Sequence, residues 1–125
     1  MKTDYMEMYK SLDERLVQLG NEIPGPMSGF ARLHKKSVEQ GALDSKVKEM
    51  MALAASIAVG CDGCIAYHVH DAVMAGASRP ELLETISVGL LMGGGPGSIY
   101  AAHALDAMDQ FLSAEEKQSD ALFSV

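Results

Sequence analysis

Apolar residues recur every three to four positions along most of this chain, and no stretch shows the period-two alternation of a half-buried strand. That pattern admits helix packed on helix and little else. The expected fold is all-α, with about six helices. Tyr5, Met6, Met8, Leu12, Leu16 and Leu19 mark a first helix, which should end in a loop over 20–26 containing Gly20 and Pro26. A second is expected over 28–40, with Phe30, Leu33 and Val38 inward and Gly41 as its stop. Asp44 or Ser45 can cap a third over 47–59, whose apolar surface carries Met50, Met51, Ala54, Ile57 and Ala58 and which Gly60 ends. A fourth should start near Cys61 or Asp62 and run to Ala75, closed by Gly76. Ser78 with Glu81 forms a capping box for a fifth helix over 81–92, with Pro80 in the permissive first turn. Gly93, Gly94, Gly95, Pro96 and Gly97 should break it before a sixth over 99–112, leaving a loosely held polar tail over 113–125.

At 125 residues and 48% hydrophobic the chain is the size of one domain with a packed core, so a single domain is expected over 1–125. A net charge of −7 and a pI near 4.9 repel phosphate backbones and anionic lipid, and the Lys and Arg residues form no run. Nucleic acid and membrane surfaces are excluded as expected partners. The longest apolar stretches, over 50–59 and 86–92, fall well short of the roughly 20 residues of a bilayer crossing. The N-terminus mixes acids and bases in an amphipathic pattern without the apolar block of an export signal, which points to a cytoplasmic protein. There a cysteine pair is seldom a permanent structural bridge.

Cys61 and Cys64 form such a pair, a CxxC where a helix is expected to begin, and unsatisfied N–H groups with the helix dipole favour a thiolate there. His68 follows Cys64 by four residues and shares its helix face, so its imidazole can serve the thiol directly or through one water. A base beside a nucleophile is the minimum arrangement for activation. Glu49 is an acid in an otherwise apolar run three turns back along the preceding helix. If the two helices are antiparallel neighbours, its reach to Cys61 demands a bent or crossing geometry that the sequence does not supply.

Glu49, Cys61, Cys64 and His68 in the spacing E-x11-C-x2-C-x3-H, set in MALAASIAVGCDGCIAYHVHDAVMAGAS and followed by LLMGGGPGSIYAA, resemble the alkylhydroperoxidase AhpD-like branch of the carboxymuconolactone decarboxylase family. The likeness covers roughly 25–112. It implies a helical homo-oligomer, a trimer or hexamer for a chain with one copy of the core. It also implies roles: Cys64 as the peroxide-attacking thiol, Cys61 as the resolving thiol, and Glu49 with His68 as the relay that takes the Cys64 proton and delivers it to the departing oxygen. Gly63 departs from well-studied members, which carry a histidine directly before the second cysteine.

The expected activity is a thiol-dependent hydroperoxide reductase, re-reduced by a lipoyl-type or thioredoxin-like dithiol donor. A disulfide reductase using the same pair is the alternative, and Gly63 raises it. A metal site of Cys61, Cys64 and His68 with Glu49 or His103 is a lesser rival, because a second CxxC or a paired His-x3-His is missing. Buried structural cysteines are another. Covalent haem is excluded by Ile65 after Cys64, and the glycines at 93–97 lack the Lys-Ser or Lys-Thr of a phosphate loop, so no cofactor is expected. His70 is read as a surface or interface residue, His34 as solvated, and His103 as a hydrogen-bonded structural histidine. The nine methionines are read as core filler, some of them able to line a soft pocket for organic hydroperoxides.

Overall fold

The helix starts carry the caps their residues supply. Asp4 accepts the Glu7 N–H at 3.0 Å and Asp44 accepts the Val47 N–H at 2.8 Å. Ser78 and Glu81 close a reciprocal box, Glu81 accepting the Ser78 N–H at 2.9 Å and Ser78 Oγ accepting the Glu81 N–H at 3.3 Å. The computed structural model describes residues 2–123, and among them every regular element is a helix: α1 Tyr5–Glu22, α2 Pro24–Val38, α3 Ser45–Val59, α4 Asp62–Met74 and α5 Arg79–Phe123. None of these helices is long and apolar enough to cross a membrane.

The core lies where α3, α4 and α5 meet. Leu53 and Ile57 of α3, Ile65 and Val69 of α4, and Leu82 and Met108 of α5 are wholly buried. Each such side chain contributes about 2 kcal/mol of hydrophobic stabilisation. Gly89 lets α5 approach α3 closely, since a Cβ there would stand 2.8 Å from Ile57 Cβ. Helix α1 docks through Tyr5, buried in the core, and through an aromatic group in which Tyr9 stacks on His70 at 4.0 Å and tilts against Tyr67 at 4.8 Å, while Phe111 of α5 meets it edge-on at 6.2 Å. Tyr67 Oη donates to Asp13 Oδ1 at 3.1 Å, and burial followed by this acceptor and its charge pushes the Tyr67 phenol up.

The structure corrects several sequence expectations. No loop spans 20–26: α1 runs to Glu22, α2 opens at Pro24, and Ile23 alone separates them. Pro24 and Pro26 sit in the first turn of α2, where proline costs no hydrogen bond, so residues that read as breakers are helix starters. Phe30 and Leu33 do not face inward, being 64% and 62% exposed, and α2 buries no residue fully. On α3 the buried set is Glu49, Leu53, Ser56 and Ile57, while Met51 and Ala58 face out. The glycine cluster does not open a loop either. The chain stays helical from Arg79 to Phe123 with non-helical angles at Gly94 alone, φ 65° and ψ −149°, and the expected fifth and sixth helices meet there in a kink. From 113 on, where a loose tail was expected, α5 continues to Phe123.

Candidate active site

The corner between α3 and α4 is built by Gly60. It takes the left-handed conformation, φ 75° and ψ 58°, as the C-cap of α3, and its N–H returns to Ser56 and Ile57. No other residue fits well: a Cβ would strain the backbone and meet the Tyr100 ring at 2.9 Å. The next residue, Cys61, is extended at φ −125° and ψ 99° and serves as N-cap of α4. Its Sγ lies 3.1 Å from the Cys64 N–H, the place an Asp or Ser oxygen takes at other helix starts. A donor and the positive end of the α4 dipole thus both bear on sulfur, which favours negative charge there.

Cys61 and Cys64 are joined as a disulfide with their Cα atoms 5.2 Å apart. Both are partly exposed, so an exchange partner can reach them. One turn on from Cys64, His68 Nδ1 lies 2.9 Å from Glu49 Oε2. The Glu49 side chain is 6% exposed and that of His68 21%. Glu49 therefore reaches His68 rather than Cys61, which resolves the geometry left open by the spacing: two long side chains span the gap between packed α3 and α4. With Nδ1–H donating to the carboxylate, Nε2 is the ring nitrogen free to exchange a proton with another group.

Other histidines also have partners. His34 of α2 is exposed, yet it offers a nitrogen within 4.8 Å of oxygens of both Glu49 and Asp71, and its ring centroid is 6.4 Å from that of His68. It is solvated, as expected, and it also stands beside the Glu49–His68 pair. Among the described residues, His34, Glu49 and Asp71 are spaced to share an ion, and this group contains neither cysteine, unlike the donor set expected from sequence. His70 is a packing residue held between Tyr9, Phe111 and Asp71, whose Oδ1 lies 2.8 Å from its Nδ1, rather than a free surface group. His103 Nδ1 is 2.8 Å from Oδ1 of Asp62, inside the dithiol loop. Asp71, three residues beyond His68, could have been read from helical spacing; the approach of His34 and the His103–Asp62 pairing across 41 residues could not.

The model of the carboxymuconolactone decarboxylase family matches residues 24–107. A crystal structure of a family protein from Legionella pneumophila in its apo form is 40% identical, superposes with a TM-score of 0.82, and covers 86% of this chain and 96% of that one. A family protein from Thermotoga maritima with a suggested part in the antioxidative response is 28% identical, with a TM-score of 0.72 over 83% of this chain and 95% of that one. Among curated sequences, an uncharacterized protein of Cupriavidus necator is 35% identical over 109 residues, 87% of this chain and 96% of the relative.

Proposed function

Because this chain belongs to the carboxymuconolactone decarboxylase family and carries a dithiol beside a His–Glu pair, we propose that it is an AhpD-like thiol peroxidase. The observation that carries this reading is the 2.9 Å bond from His68 to buried Glu49, one helical turn from Cys64 at a helix N-terminus. A carboxylate held in place and bonded to one ring nitrogen makes the other a better base. In the reduced enzyme His68 accepts the Cys64 proton. The thiolate attacks the terminal oxygen of a hydroperoxide, forming Cys64–SOH and cleaving the O–O bond, and the stored proton passes to the departing alkoxide to give the alcohol. The Cys61 thiol then attacks the Cys64 sulfur, releasing water and forming the disulfide. A dithiol donor of lipoyl or thioredoxin type returns two electrons and two protons. The antioxidative role suggested for the Thermotoga maritima relative points the same way.

A second reading, reduction of a disulfide substrate by the same pair, is favoured by the partial exposure of both cysteines and by the absence of a side chain at Gly63. Peroxide consumption measured beside disulfide reduction, each with lipoyl and thioredoxin-type donors, separates the two. We expect organic hydroperoxide to be consumed with one of these donors. Disulfide turnover with no peroxide consumption would replace the first reading by the second.

A further inference from the structure

Asp62 places a carboxylate inside the dithiol loop, directly after Cys61 and two residues before Cys64, at the first position of α4. The helix terminus that favours a thiolate also favours this carboxylate, and a negative charge so close opposes a second one on sulfur. Left alone, Asp62 would weaken the thiols that the site needs. It is not left alone: His103 of α5 brings Nδ1 to 2.8 Å from its Oδ1, with side-chain exposures of 39% and 37%. Tyr100, three residues earlier on α5, meets the His103 ring edge-on at 5.5 Å and packs against Gly60 on its other side. The imidazole is thus bonded to Asp62 on one side of Cys61 and touches the Tyr100 ring that lies over Gly60 on the other.

The other groups around Asp62 are acids, a phenol and the thiols, and Lys2 is engaged by Asp106 instead. From α1, the buried Tyr5 hydroxyl is pushed up to about 12 by burial first and then by the charges of Asp62 and Asp106. From α5, Asp106 is itself acidic and holds Lys2 at 3.4 Å. On α4, Cys61 and Cys64 are the thiols in question. Among the described residues, the side chain that bonds Asp62 is that of His103.

We propose that His103 is a positioning residue for the dithiol: by hydrogen bonding Asp62 it offsets the carboxylate inside the loop and so raises the thiolate fraction of the reduced pair and the ease with which its disulfide is reduced. The disulfide carries no charge, so an unpaired Asp62 destabilises only the reduced, partly ionised form. This rests on the dithiol reading above but not on peroxide as the oxidant.

The test uses the full chain. Iodoacetamide alkylation of the reduced protein is followed against pH, and the disulfide is equilibrated with glutathione redox buffers, for the parent, His103→Gln, Asp62→Asn and the double variant. His103→Gln should move the alkylation profile to higher pH, slow alkylation at neutral pH by roughly three- to tenfold, and make the disulfide harder to reduce by a similar factor. Asp62→Asn should move all three the opposite way. In the double variant the His103 effect should vanish, since no carboxylate remains to be offset; a merely structural histidine would not be rescued in this way. An unmoved His103→Gln profile, or an effect that persists undiminished without Asp62, overturns the proposal. If His103→Gln fails to fold by circular dichroism, Asp62→Asn decides alone, and its unmoved profile has the same consequence. A parent that forms no reversible Cys61–Cys64 disulfide overturns the dithiol reading and this one with it, whereas a normal parent with unmoved variants overturns this one alone.

Discussion

Sulfur at position 61 and sulfur at position 64 occupy different chemical settings although only two residues lie between them. Cys61 caps α4 and takes the Cys64 N–H, while Cys64 lies inside the helix on the face of His68. The roles proposed for them predict that Cys64→Ser abolishes turnover, whereas Cys61→Ser reacts once and stalls as a sulfenic acid that a dimedone-type probe traps, with mass spectrometry as the readout. Phenotypes in the reverse order would make Cys61 the nucleophile, which its helix-terminal position also suits. His68 and Glu49 hold no electrons, so their contribution is proton transfer. His68→Ala and Glu49→Gln should keep the circular dichroism spectrum, shift Cys64 alkylation to higher pH and slow turnover by roughly 10²-fold. Loss of the fold in either variant would reassign that residue to structure, and for Glu49 its burial makes this the sharper comparison. This part of the site was legible because it is local: His68 follows Cys64 by helical period, and an acid among apolar neighbours marks Glu49. That Glu49 pairs with His68 came from the family resemblance and not from the spacing, because their meeting depends on how two helices cross.

Among the elements, α3 and α4 followed from the sequence because their signals are strong and agree: Asp44 as cap, Gly60 as stop, and Cys61 as the next start. Helix α2 misled for a physical reason. Its apolar residues recur at helical spacing, but periodicity reports that a face is apolar and not which surface covers it, and here Phe30 and Leu33 stand clear of this chain's core. Prolines at 24 and 26 read as a loop because proline ends and begins helices alike. At the corner the structure makes a firm demand on one residue. Gly60→Ala should cost about 1 kcal/mol from its left-handed backbone alone, with a further cost from the Tyr100 ring 2.9 Å away. A lowered urea midpoint with slowed disulfide formation is the expected result, and an unchanged midpoint would mean that the corner relaxes. The α3–α5 junction should also be acid-sensitive. The Ser78 N–H bond and then Lys46, 3.0 Å away, hold Glu81 below the usual carboxylate range. A depressed carboxylate stabilises the fold above its unfolded pKa, and this is lost as pH falls through the lower, folded one. Glu81→Gln should therefore lower stability at neutral pH and flatten its decline below pH 4 to 5, as read from urea midpoints against pH.

At the scale of the whole molecule, the apolar surface that one chain leaves uncovered argues for a second copy. Val17, Phe30 and Leu33 on the α1–α2 arm, and Leu91, Met92 and Ile99 around the α5 kink, are each more than half exposed. Contiguous apolar patches beyond a few hundred Å² are uncommon on monomers. Scattered single residues would need no such account. Assembly through this surface would cover these side chains and would also shelter His34, which lies on the same helix as Phe30 and Leu33. We therefore expect a homo-oligomer, and light scattering at micromolar concentration should return a multiple of the 13.3 kDa chain mass. Placing a charge on the exposed face should break it: Leu91→Glu and Phe30→Glu alter side chains that the isolated chain does not bury, so the monomer should keep its helical spectrum while its mass falls to that of one chain. A parent that is monomeric at 13.3 kDa would remove the interface argument. A Phe30→Glu chain that stays assembled while Leu91→Glu dissociates would confine the interface to α5, whose exposed Leu91, Met92 and Ile99 would then be the side chains that the second copy covers.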